Sequence, residues 1–133
     1  MTNKVFGDVT FDDGAGWVVN EPLKMELWGS SYSVKVTAES YSEDEAITKE
    51  QENAYKKFKS VLSKKQTATE KLLSDYLDDA GAEQLRSRLT PKFLIINDEG
   101  ECALLFDDTE DEDDGLAVVL LPEEEVMTQD EYL

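Results

Sequence analysis

Residues 107–114, DDTEDEDD, place seven carboxylates in eight positions, and the run stops at Gly115. Side chains of this type can hold a hard cation, share protons in acid–base catalysis, or present charge to a cationic surface. An EF-hand loop needs glycine at its sixth position and a bidentate glutamate at its twelfth. Setting Gly115 sixth aligns Glu110, Glu112 and Asp114 with ligand positions, but Val118 then falls ninth and Leu121 twelfth. The pattern fails where affinity is made, so no metal is assigned. A glycosidase-type pair needs two acids ~5–9 Å apart in a cleft. Among 31 acids no local motif picks out such a pair.

The rest of the chain offers no catalytic machinery. It has no histidine, which removes the commonest general base and most transition-metal sites. Cys102 lies inside the apolar stretch CALLF and reads as core. The glycines of GDVTFDDGAG lack the strand-then-helix context of a phosphate cradle. The expectation is a non-enzymatic protein without cofactor.

Two readings of the acidic run remain. As a solvated hairpin loop it would keep its apolar flanks, CALLF and LAVVLL, from edge-to-edge aggregation. As a docking surface it would belong to a larger polyanion. Residues 1–47 carry 9 acids and 3 bases, residues 48–92 carry 7 and 10, and residues 93–133 carry 15 acids and no base. The net charge of −18 exceeds the magnitude of ~2–8 that keeps a small domain soluble. Such a field repels nucleic acid and anionic membranes and speeds encounter with a basic protein. The candidate partner-binding residues are Asp107, Asp108, Glu110, Asp111, Glu112, Asp113 and Asp114, with Glu123, Glu124 and Glu125 of PEEEV. The alternative is a structural or accessory domain that self-associates as a homodimer, with no specific ligand.

The elements that must position these residues read as α+β in a single domain, 1–133. Strands occupy 1–39. LKMEL (23–27) and YSVKVTA (32–38) alternate around a hairpin signal, WGSS, and Val5, Gly7, Val9 and Phe11 share a face before the DDGAG turn. Helices occupy 47–80. TKEQ (48–51) forms a capping box, and SKKQ (63–66) reads as a second one that splits the stripe in two. AEQLRSRL adds a further helical turn before Pro91.

Strands return over 92–121, and 122–133 is a tail. FLII, CALLF and LAVVLL are apolar on both faces and so need cover twice. The expected fold is an antiparallel sheet of a three-stranded N-terminal meander and three C-terminal strands. Two helices pack on one face through Phe58, Leu62, Leu72, Leu73 and Tyr76. The meander, or a second subunit, lies against the other. No basic n-region precedes an apolar h-region, and no run reaches the ~18 apolar residues of a membrane span. With one cysteine, the cytoplasm is the expected location.

FGDVTFDDG with Trp17, ITKEQENAYKKF, LTPKFLIINDEGECALLFD and GLAVVLLPEEEVMTQDEYL together resemble a family of small acidic bacterial proteins known only as a domain of unknown function. The resemblance spans most of the chain and is strongest in the final strand and QDEYL. It supplies no catalytic residues. By analogy with small acidic immunity proteins, it implies binding to a toxin-like basic partner.

Overall fold

A computed structural model describes residues 2–133. Among the described residues, nine strands form one mixed, mostly antiparallel sheet: β1 (Thr2–Asn3), β2 (Gly7–Asp12), β3 (Gly16–Val19), β4 (Leu23–Leu27), β5 (Ser30–Glu39), β6 (Leu89–Ile96), β7 (Cys102–Asp108), β8 (Asp111–Leu121) and β9 (Glu125–Thr128). Between β5 and β6 lie α1 (Lys49–Ser60), α2 (Leu62–Tyr76) and α3 (Ala82–Arg88), and α4 (Gln129–Tyr132) follows β9.

The N-terminal part holds more strands than the expected three, because Gly16–Val19 forms β3, which that expectation did not include. β3 pairs with the C-terminal half of β5 and β4 with its N-terminal half, while residues 20–22 separate them. The β4–β5 turn places Trp28 and Gly29 at φ 52° and 77°, as a tight two-residue hairpin turn requires. The first long strand starts at Gly7, not Val5. Asn3 Oδ1 accepts the amides of Val5 and Phe6 in a turn that tucks Phe6 inward. There Phe6 stacks on Tyr55 of α1, centroids 4.6 Å apart.

The expectation of a wholly antiparallel sheet fails at one seam. β5 and β6 are parallel, with Lys35↔Phe93, Val36↔Leu94, Thr37↔Ile95 and Ala38↔Ile96 in register. Three helices separate the two strands and return the chain to the end where β5 began, so hairpin logic does not apply. Nor does the meander cover the other face of the C-terminal strands; it extends the same sheet through this seam.

The helices cover the face that carries Val34, Val36, Leu94, Ile96, Leu104, Phe106, Val118 and Leu120, all fully buried. Phe58 and Leu73 are buried against it, and Leu62 and Leu72 are partly so. Tyr76, expected in this stripe, is instead 45 % exposed at the last turn of α2. The Thr48–Gln51 capping box forms with both of its bonds. The second box does not: the helices divide at Val61, and SKKQ lies inside α2. AEQLRSR is a full helix, and the expected tail contains β9 and α4, the latter opened by a Thr128–Glu131 capping box.

α2 also closes the free side of β4. Gln66 Oε1 accepts from Glu26 N–H (2.8 Å) and Glu70 Oε2 from Trp28 N–H (2.6 Å). A four-residue step along a helix and a two-residue step along a strand are nearly equal in length, ~6 Å and ~6.6 Å, so two side chains reach two outward amides. Arg86 Nη1 meanwhile donates to Trp28 O at 2.7 Å. Glu70→Ala is expected to cost about 1–2 kcal/mol in urea denaturation, with Glu70→Gln recovering part of it. Equal midpoints for all three proteins would show that this edge needs no cap.

Candidate functional site

The acidic run is not a connecting loop. Asp107 and Asp108 end β7, Asp111–Asp114 begin β8, and only Thr109 and Glu110 turn between them. Asp108 pairs with Asp111 and Phe106 with Leu116, so the intervening part of β8 bulges opposite Asp107. A shallow hollow of about 320 Å³ lies here, lined by Asp107, Asp111, Glu112, Asp113 and Gln129 among others.

Several of these carboxylates work inside the fold. Asp108 is buried and bidentate with Arg88, at 2.8 Å from Nε and 3.0 Å from Nη2. Burial acts to raise its pKa, but the Arg88 hydrogen bonds, the Glu110 amide and the Arg88 charge together hold it below the usual carboxylate value. Arg88 Nη1 also meets Glu110 Oε2 at 3.1 Å. Asp111 Oδ1 accepts the Asp114 amide, and Asp114 Oδ1 accepts the Asp130 amide at 3.0 Å.

Gly115 ends the run because any side chain there would collide with Phe106 O and Gln129 Nε2. Through that gap Gln129 donates to Phe106 O at 2.7 Å and fastens α4 over the sheet. Asp107, Glu112 and Asp113 remain exposed, and among the described residues no hydrogen bond or ion pair engages their side chains.

The expected site does not converge. β8 separates the hairpin carboxylates from Glu123, Glu124 and Glu125, which sit at its other end in and beside the β8–β9 turn. All three are exposed, and Glu124 pairs with Lys65 at 3.2 Å. The C-terminal third therefore does have counterions, Arg88 and Lys65, drawn from the basic middle segment. Among the described residues no group of three or more acids or cysteines is placed to hold a metal. Cys102 is fully buried, and burial, followed by the nearby Glu101 charge, pushes its thiol up to about 12.

The sheet face turned away from α1–α3 is only partly covered. Ala103, Leu105, Ala117 and Val119 are buried there beneath Met127 and Tyr132. Burial, then the charges of Glu101 and Glu39, raises the Tyr132 hydroxyl well above its ordinary pKa. Glu39 is itself raised by burial and by Asp98. Beside this cover a groove of about 730 Å³ runs between the β2–β3 turn, Tyr41 and α4. Sequence reasoning missed it. Its signal was Lys35–Phe93 alternating with buried Val36–Leu94, legible only once β5 and β6 are known to be neighbours.

A sequence profile for a domain of unknown function, DUF6985, matches residues 5–93. The chain belongs to that family. The matched part takes in the meander, α1–α3 and the first half of β6, whereas β7–β9 and the acidic hairpin lie beyond it. The resemblance read in the final strand and QDEYL thus falls outside the family match. No curated protein and no solved structure matches the chain. No helix among the described residues is long and apolar enough to cross a membrane.

Proposed function

We propose that the protein is a non-catalytic acidic binding protein of the bacterial cytoplasm that docks and neutralises a basic partner protein, in the manner of an immunity protein. The observation that carries this reading is the exposed set Asp107, Glu112 and Asp113, unpaired on a hairpin that Arg88 pins from behind. Fixed charges on a rigid mount lose little entropy on docking and steer a cationic surface during approach. Neither nucleic acid nor an anionic membrane suits a net charge of −18. The remaining hairpin carboxylates support the mount; Asp108 in particular is internal and unavailable to a partner.

The test begins by recovering the native protein from its own cells and identifying what accompanies it. The expected companion is a basic protein. Asp107→Asn, Glu112→Gln and Asp113→Asn combined should slow association about tenfold at low salt and flatten its salt dependence. Thermal stability should hold or rise as self-repulsion falls. A partner that binds this variant with unchanged rate and salt slope would remove the hairpin from the interface.

A second reading, a structural domain that self-associates as a homodimer, is favoured by Phe93, 43 % exposed on the open face. Charge repulsion between copies opposes it. Sedimentation velocity in raised salt distinguishes the two, because a dimer of this kind should strengthen as the charges are screened.

A further inference from the structure

The open sheet face gathers most of the large apolar surface that the fold leaves uncovered. Phe93 and Tyr41 are 43 % and 83 % exposed, and both line the groove, with Leu133 at its rim. Ile95 and Leu105 form the floor beside Phe93. The polar lining has a definite sign. Asp12, Asp13 and Glu39 stand toward the β2–β3 turn, and Lys35 is the only base. The groove therefore joins an apolar floor to an acidic end.

We propose that this groove takes an extended basic segment of the partner protein, an inference that rests on the proposed function above. An apolar side chain seats on Phe93 and Ile95, and a neighbouring Lys or Arg meets Asp12, Asp13 and Glu39. Charge complementarity selects this occupant. A nucleic acid or anionic lipid would bring like charge to the acidic end, and a neutral apolar ligand would leave those acids unanswered. A second copy of the chain carries the same −18. The hairpin tip then serves long-range attraction, while the groove supplies the contact that slows release.

The experiment uses the full chain and a short fluorescein-labelled peptide alternating Arg and Leu, followed by fluorescence anisotropy. Peptides alternating Arg with Ser and Glu with Leu serve as comparisons. The Arg–Leu peptide should bind at least about tenfold more tightly than either, since both halves of the recognition are required. Phe93→Ser should weaken it about tenfold and lower the melting temperature by only a few degrees, because the side chain is about half in water. Lys35→Glu, at an exposed strand position, should tighten it several-fold. If Phe93→Ser perturbs folding, Lys35→Glu carries the test alone, and an unchanged affinity there overturns the groove.

Equal binding of the Arg–Ser peptide also overturns it. So does loss of binding in the Asp107, Glu112 and Asp113 variant with none in Phe93→Ser; either result leaves charge-driven docking in place. If no cationic peptide binds even at low salt, the groove is overturned, while the hairpin reading is decided separately by the native partner's rate and salt slope.

Discussion

Arg88→Met is expected to lose about 3 kcal/mol of stability at neutral pH, a fall of roughly 10 °C in melting temperature for a domain of this size. Asp108 is buried and receives two Arg88 hydrogen bonds, so the truncated partner would leave a carboxylate buried and unpaired. In the native chain Asp108 binds its proton less tightly than it would unfolded. Its contribution is therefore complete above the ordinary carboxylate value of ~3.9 and is lost as pH falls through the folded value. In the variant only the Glu110 amide still opposes burial, so the carboxyl moves upward and acidification relieves the penalty. The gap between the two proteins should be widest near neutrality and should close toward a pH of ~3. Asp108→Asn placed in the Arg88→Met background should recover part of the loss. A pH-independent gap, with no recovery, would mean that Arg88 acts through its packed stem and not through the pair.

Gln51→Leu should cost a similar amount, about 3 kcal/mol, although the new side chain is apolar and of similar volume. Gln51 is 1 % exposed, and its amide joins three elements. Nε2 donates to Glu39 O at the end of β5 (2.8 Å) and to Ile96 O at the end of β6 (3.0 Å). Oε1 accepts from Thr48 N–H at the start of α1 (2.9 Å). Leucine would leave two carbonyls and a helix-cap amide without this partner. Hydrogen exchange should rise first in residues 36–39 and 94–97, where the parallel strands end, and not in the β7–β8 hairpin. Uniform acceleration across the sheet, or no loss of stability, would refute the bridging role.

Gln51 also marks how far the sequence could be read. Its spacing from Thr48 announced the capping box, because that interaction is local. The bonds to Glu39 and Ile96 were invisible, since they depend on β5 and β6 lying side by side. The same boundary recurs elsewhere. Apolar alternation located β4 and β5, and the doubly apolar runs located β6, β7 and β8. The burial of Leu94, Ile96, Leu104, Phe106, Val118 and Leu120 followed from those runs. Composition marked the acidic run but could not sort it. Asp108 and Glu112 are alike as letters, yet one is locked to Arg88, twenty positions upstream, and the other faces water. Tyr76 satisfied the helical period and still reached solvent, because α2 ends with that residue.

The parallel seam between β5 and β6 has a kinetic consequence. On either side of it, β2 to β5 and β6 to β9 are joined by short turns, so each half can assemble from neighbours in sequence. The seam itself joins residues roughly sixty positions apart, and its loop-closure entropy is spent before any of its contacts repay it. Until α1–α3 have brought β6 alongside β5, both strands keep an unsatisfied edge, and the second half is an apolar sheet fragment in water. Self-association of nascent chains is most favoured during that interval, when the dense negative charge of residues 107–114 and 123–125 keeps such fragments apart. The acidity of the C-terminal third thus guards the chain on its way to the folded state.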